Sequence, residues 1–492
     1  MPAKRAIVIG SGFAGLSAAS FLAKSGFNVT ILEKNNQAGG RARQLAEAGF
    51  KFDMGPSWYW MPDVFERYFA SFGKSVSSYY TLTRLDPSYT VVFGNREEMD
   101  IPADYGMLRS MFESIEPGSG TQLDQFLSEA AYKYKVGIND LVYKPARSIW
   151  EFASIKLLAN MARMDVFTSF ESHIHKRFKH QKLRQLLEFP ILFLGALAKN
   201  TPALYSLMNY ADIKLGTWYP LGGMKSVVDG MLHLARELGV DIKTGHEVVS
   251  FRYSGNAIAK VVCKQGEFDA DVVVGGADYH HIESKLLPQQ FRSYSEKYWD
   301  TRLLAPSSLL FYLGFNKKLP KIGHHVLFFD EPFAPHASAI YETREWPDKP
   351  LFYVNVPSKT DDQVAPQGCE NMVVLIPVAA GIEDKKSTRE KYYEMIFDRL
   401  ERHYGENLRP YVVYKKSYAH QEFINDYHSF KGNAYGLANT LMQTAILKPS
   451  IKSRKIRNLY YTGQLTVPGP GVPPSLISGQ VVANEVVKDI ST

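Results

Sequence analysis

Cysteine is nearly absent: Cys263 and Cys369 are the only two in 492 residues. Two thiols cannot build a disulfide framework, and a reducing compartment is the simpler setting. Long hydrophobic runs are missing too. The longest, 189–198 and 372–382, fall short of the ~18–20 residues a spanning helix needs, so no transmembrane segment is expected. Nor does the N-terminus read as a secretory leader, because Lys4 and Arg5 precede a short apolar run that Gly10 ends. Repeats and low-complexity tracts are lacking. What remains is a globular composition, 45% hydrophobic and 13% aromatic, long enough for two to four domains at roughly 100–200 residues each. Lys plus Arg exceed Asp plus Glu by 57 to 50, a net charge of +7.

The first forty residues carry the strongest local pattern. Ala6, Ile7, Val8 and Ile9 form an unbroken apolar run, as in a buried parallel strand. It leads into Gly10-Ser11-Gly12-Phe13-Ala14-Gly15, a helical stretch over 16–24, and a second strand over 28–32 that delivers Glu33. Gly10 suits the tight turn, Gly12 the backbone approach to a pyrophosphate, and Gly15 close helix–strand packing. An anion then rests on the helix N-terminus, and Glu33 is placed to accept hydrogen bonds from a ribose diol. Six residues later, Gly39-Gly40-Arg41 adds a second glycine doublet with a cation, which is foreign to a nicotinamide fingerprint.

Further along, helices are expected over 105–137, broken at 116–120, and over 148–187. A glycine-punctuated loop at 216–224 precedes a helix over 226–238, and strands follow near 247–253, 258–263 and 272–275. Mixed strands and loops occupy 281–440, with a buried strand near 372–377 and a helix over 392–403. At the C-terminus a strand ends at Gly463, a Pro/Gly-rich loop spans 464–474, and a helix covers 475–488. The prolines Pro473 and Pro474 fit its first turn.

The block from Gly10 to Arg43 resembles the FAD-binding N-terminus of the amine oxidase and phytoene desaturase superfamily. Asp53 to Ser57 resembles the segment that runs beside the flavin. The pattern Gly463, Thr466, Pro468-Gly469, Gly471-Val472 and Ser478 is similar to the C-terminal signature of bacterial-type phytoene desaturases, with Gln464, Leu465, Val467 and Pro470 departing from its commonest form. The segments 85–89 and 209–211 resemble flavobacterial-type members.

The resemblance implies an α/β fold in which a Rossmann-like FAD-binding domain (1–75, 215–285 and 445–492) is interleaved with a mixed sheet-plus-helices substrate domain (76–140 and 286–444). A helical, membrane-facing segment over 141–214 completes it. It implies FAD contacts from Gly10, Gly12, Phe13, Ala14, Gly15, Glu33, Lys34, Gly40, Arg41, Gly55, Pro56, Ser57, Val248, Gly463, Gln464, Gly471 and Val472. The implied activity is carotenoid desaturation, a C–H hydrogen leaving as hydride to the flavin N5 while a neighbouring proton is lost, with oxygen or a quinone as reoxidant. The substrate is either phytoene and its intermediates, or a 1′-hydroxylated or monocyclic, γ-carotene-type carotenoid desaturated at the 3,4 position. No general base is assigned: Asp86, Asp212 and Glu342 are equally well read as surface or capping carboxylates. A non-covalent FAD amine oxidase and a prenyl-binding chaperone like the GDP dissociation inhibitors are the rival readings.

Between 144 and 184, nine Lys or Arg face only Glu151, Asp165 and Glu171, among aromatics such as Trp150, Phe167, Phe170 and Phe178. Basic residues beside an apolar helical face suit an anionic membrane surface, and no nucleic-acid motif accompanies them. A cytoplasmic protein peripherally attached to the membrane is the resulting expectation. His173, His175 and His180 are set aside as metal ligands, because their neighbours are cations.

Overall fold

The computed structural model describes residues 3–94, 96–152, 164–192 and 197–491. A five-stranded parallel sheet has the order Leu459–Tyr461, Val272–Gly275, Arg5–Ile9, Asn28–Leu32, Asp241–Lys243. Ala6 and Val8 face the helices while Ile7 and Ile9 face a small three-stranded sheet. Both faces are buried, which is why the strand reads as an unbroken apolar run. Helix Phe13–Lys24 packs along the C-terminal helix Val472–Ser491. A Cβ on Gly479 would lie 2.4 Å from the Ala14 carbonyl oxygen, and the Ser17 hydroxyl donates to the Leu476 carbonyl at 2.7 Å.

The second large sheet has seven strands. It joins Tyr89–Phe93 and Glu97–Ile101 to Ser307–Phe315, His325–Phe329, Phe352–Asn355, Glu370–Val378 and Val412–Tyr418. Period-2 alternation divides its labour. Leu309, Phe311, Val326, Val354 and Val374 pack under the helix Lys386–Tyr404, whereas Leu310, Leu327, Tyr353 and Leu375 join the core that also holds Ala6 and Val8 of the five-stranded sheet. Each fully buried Leu, Val or Phe contributes about 1.5–3 kcal/mol, so neither face can be given up cheaply. The hairpin Gln44–Glu47 with Phe50–Asp53 lies against this sheet: a Cβ on Gly314 would lie 2.4 Å from the Phe50 ring, and Tyr312 donates to the Met54 carbonyl.

Two expectations need correcting. Where it is described, the stretch 148–187 holds the short helical elements Ile149–Phe152, Phe170–His175 and the start of Gln181–Leu192, with turns over 164–168 and 176–180; residues 153–163, with Lys156 and Arg163, lie outside the described residues. Its charge is also less free than the composition suggests. Arg177 pairs with Glu129 at 2.7 Å, Arg147 with Glu485 at 2.7 Å, and Lys182 with Glu97. These carboxylates come from distant parts of the chain, so no local count anticipates them. Among the described residues no helix is long and apolar enough to cross a membrane.

The glycine loop before helix Met224–Glu237 is held from two sides. Asp53 Oδ2 accepts from the Met224 N–H at 2.8 Å, capping the helix from a distant strand. Asp361 Oδ2 accepts from the Gly222 N–H at 2.6 Å. Burial pushes the Asp53 carboxyl up to about 7. A carboxyl raised on folding contributes stability that is complete below its unfolded value and is lost as pH rises through the folded one. Urea unfolding should therefore show stability falling between about pH 4 and pH 7 in the wild type, with a flatter profile in Asp53→Asn.

Candidate active site

The site begins where the first helix meets the sheet. A Cβ on Gly15 would lie 2.0 Å from the Gly10 carbonyl oxygen, so only glycine lets the helix start this close to the strand. Gly12 is different: nothing lies nearer than 3.9 Å to the place its Cβ would take. Protein packing does not demand glycine there, so the demand comes from the open side. Gly12 is also the N-cap, and it brings no side chain to bond the first-turn N–H groups. The end of the helix therefore offers its donors and dipole to an anion.

That end opens onto a cleft of about 1670 Å³, counted with its open mouth. Of the residues expected to hold the cofactor, Gly10, Gly12, Phe13, Ala14, Glu33, Lys34, Gly40, Arg41, Gly55, Pro56, Val248, Gly463, Gln464, Gly471 and Val472 all line it. Gly15 and Ser57 do not. Gly15 is turned to the strand, and the Ser57 hydroxyl shares a 2.9 Å hydrogen bond with Tyr353. Glu33 differs from expectation in its engagement. Its carboxylate already accepts from the N–H and hydroxyl of Ser11, at 2.8 and 2.7 Å, and from the N–H and side chain of Asn35, at 2.8 and 3.1 Å. Four donors satisfy a carboxylate, so a ribose diol would have to share or displace one of them. Arg41 stacks 5.2 Å over Tyr427 and donates to the Ser429 hydroxyl at 3.0 Å, while its buried Nε has no partner among the described residues. An unmet guanidinium donor beside open helix N–H groups fits the pyrophosphate of a dinucleotide.

Several lining residues gave no sequence signal. His281 and His428 stack with ring centroids 3.9 Å apart, and His428 Nε2 meets Glu247 at 2.8 Å. Burial pushes His281 down to about 3, so it stays neutral. Leu310 and Leu375 from the seven-stranded sheet, with Tyr427 and Tyr435, complete the wall. They come from strands and loops more than 250 residues from Gly10, and only the packing of the two sheets unites them.

Leu375 and Tyr435 also line a second cavity, about 660 Å³ with its mouth. Its other walls include Phe189, Leu327, Phe329, Phe333, Ile340 and Leu351, and no charged side chain is among the described residues that line it. His336 is neutral: burial pushes it down to about 4, its Nδ1 accepts from the Leu351 N–H at 2.9 Å, and its Nε2 meets the Pro377 carbonyl at 2.8 Å. The three carboxylates weighed as bases lie outside both cavities. Asp86 accepts from the Ala103 N–H, Asp212 from Tyr89, and Glu342 pairs with Lys199. His173 stands among Lys133, Arg177, Asp165 and Glu129, where the two carboxylates are already paired with the two cations at 2.8 and 2.7 Å.

A parallel sheet, a glycine turn into a helix and a large cleft beside an apolar cavity define a dinucleotide-dependent enzyme of the flavoprotein type. Comparison with known proteins specifies the family. Residues 13–487 match the family of flavin containing amine oxidoreductases. The chain is 41% identical over 488 residues to a carotenoid 3,4-desaturase of Haloarcula japonica, covering 98% of each protein. It is 29% identical to a ζ-carotene-forming phytoene desaturase of Myxococcus xanthus, covering 98% of this chain and 94% of that one. An oxidoreductase from Methanosarcina mazei shares the fold with a TM-score of 0.65 at 16% identity, over 98% of this chain and all of that one. The chain belongs to the carotenoid desaturase branch of the flavin containing amine oxidoreductases, and its cofactor is FAD.

The contrast between the two glycines is testable. Gly12→Ala should leave the melting of the FAD-free protein nearly unchanged while weakening FAD binding about tenfold or more, read by fluorescence titration. Gly15→Ala should instead destabilise the fold by about 1–3 kcal/mol.

Proposed function

We propose that the protein is an FAD-dependent carotenoid desaturase that introduces a carbon–carbon double bond near the end of a long isoprenoid chain, at the 3,4 position. The observation that carries this reading is the apolar cavity without charged lining residues that adjoins the cofactor cleft through Leu375 and Tyr435. An amine substrate arrives as a cation, and desolvating it in such a cavity is costly without a carboxylate partner. A hydrocarbon has no such need. The 41% identity to a carotenoid 3,4-desaturase supports the position of the new bond. FAD, held along the cleft, supplies the two-electron acceptor for an unactivated C–H bond. The chain's own residues exclude water, align the chain end beside Tyr435, and hold the pyrophosphate on the first helix and Arg41. The discontinuous domains implied by the resemblance are part of this reading: the cleft lies between the five-stranded and the seven-stranded sheets. Oxygen or a quinone would serve as the final electron acceptor.

A carotenoid must be taken from a bilayer, and one face of the protein suits this. Phe167 is 89% exposed and Met442 75%, with Ile446 and Leu447 also exposed. Phe167 precedes Thr168, whose carbonyl accepts from the Ala203 N–H; Tyr205, two residues on, reaches Thr444 in the loop that carries Met442 and Ile446. Lys199, in the same segment, bridges to Glu342 beside the cavity-lining Tyr341. Lys176 and Lys179 stay exposed nearby in sequence, whereas Arg177 is engaged by Glu129. This surface docks peripherally on an anionic membrane and frames the cavity mouth.

Incubating the FAD-loaded protein in liposomes with phytoene, lycopene and a hydroxylated γ-carotene, with products resolved by chromatography, should give a red-shifted polyene from at least one of them. Oxidation of an amine with no change in any carotenoid would refute the reading. In flotation with anionic vesicles, Lys176→Glu with Lys179→Glu and Phe167→Ser should reduce the bound fraction without loss of FAD. Unchanged partitioning would discard the docking face.

A further inference from the structure

The wall of the apolar cavity contains four side chains with hydrogen-bonding groups: His336, Tyr341, Tyr353 and Tyr435. Two of them are accounted for by hydrogen bonds, and a third opens onto the cofactor cleft. His336 uses both ring nitrogens on backbone groups. The Tyr353 hydroxyl lies 2.9 Å from the Ser57 hydroxyl and 2.7 Å from His325 Nδ1. Tyr435 stands beside Ser308 on the cofactor side. Tyr341 is different. Its hydroxyl oxygen is buried and has no hydrogen-bond partner among the described residues.

Native structures seldom leave a buried hydroxyl unmet, because removing it from water without compensation is unfavourable. Where such a group lines a ligand cavity, the ligand is the natural partner. Position narrows what that ligand offers. Tyr341 lies in the turn Ala339–Thr343 that continues the helix Phe333–Ser338, and Phe333, His336, Ala337 and Ile340 from the same stretch line the cavity. The phenol of Tyr435 is close enough to add to the rise in the Tyr341 hydroxyl's pKa, after burial, and Tyr435 lines both cavity and cleft. The unmet hydroxyl therefore stands toward the end of the cavity that meets the cofactor.

We propose that Tyr341 is a specificity-determining residue, whose hydroxyl bonds an oxygen atom on the end group of the carotenoid close to the bond that is oxidised. The inference rests on the desaturase reading above and deepens it by assigning to Tyr341 the choice between a hydroxylated and a purely hydrocarbon end group. A purely hydrocarbon end would cover the phenol and leave it unpaired, whereas a hydroxyl at the same place completes it. Sites built to hydrogen-bond a substrate oxygen discriminate strongly against the analogue that lacks it.

The test compares kcat/KM of the FAD-loaded wild type and Tyr341→Phe on two carotenoids of equal chain length, one with a terminal hydroxyl and one without, in the same liposomes. The wild type should favour the hydroxylated substrate by about tenfold or more. Tyr341→Phe should bring that ratio toward one, chiefly by lowering turnover of the hydroxylated substrate, with FAD content retained and the melting temperature unchanged or raised. Equal wild-type activity on both, or a ratio that survives the substitution, overturns the role of Tyr341 and leaves the desaturase reading intact. Inactivity toward every carotenoid with FAD bound overturns that reading and this one together. The wild-type ratio is informative even if the variant does not fold.

Discussion

The Gly10 carbonyl oxygen and the Cα of Gly15 stand so close that no side-chain carbon fits between them; a Cβ would approach to 2.0 Å. This contact sets the first helix directly on the end of the central strand. Because the helix starts there, its uncapped N-terminus faces the cleft, and its far side is left for the C-terminal helix. Gly479 repeats the constraint, with the Ala14 carbonyl 2.4 Å from where its Cβ would be. Two close backbone approaches, some 460 residues apart in the chain, thus bring Gly12 and Gly463 to one wall of one cleft. Packing at this density leaves little freedom to shift, so the anion-binding end of the helix is held rigidly.

The opposite wall obeys a different rule. In the seven-stranded sheet successive residues serve different cores: Leu309 and Phe311 pack on helix Lys386–Tyr404, while Leu310 and Leu375 face the cleft. A one-residue slip of register would exchange these sets. The cavity that adjoins the cofactor cleft is consequently a by-product of pleating. Its apolar character follows from the same burial that stabilises the sheet, and the few polar groups in its wall stand out against that background.

Charge follows a third pattern. The basic stretch 144–184 looks like a single positive patch in one dimension, yet Arg147, Arg177 and Lys182 are answered by carboxylates on the C-terminal helix, on helix Ser119–Val136 and on a strand of the large sheet. Among the described residues, the exposed cations of this stretch without a carboxylate partner are Lys176 and Lys179. Surface pairs of this kind contribute modestly to stability, but they decide which part of the surface keeps its field.

The sequence by itself determined the glycine turn and the cofactor class, because glycines at a strand–helix turn are a local requirement: Gly10 takes a positive φ and Gly15 sits against the Gly10 carbonyl wherever the rest of the chain lies, while Gly12 keeps the helix end open. The strands at 248–254, 257–263 and 272–275 and the C-terminal helix were legible for the same reason, since apolar period and helix-start signals are short-range. The tertiary structure alone decided the stacked His281 and His428, the engagement of Glu33 by Ser11 and Asn35, the displacement of Ser57 from the cleft to Tyr353, and the unmet hydroxyl of Tyr341. The histidine stack and the Ser57–Tyr353 bond join distant elements across the two sheets, whereas Glu33 meets Ser11 and Asn35 only 22 and 2 residues away; in each case a contact is made or missed over tenths of an ångström that no one-dimensional pattern encodes.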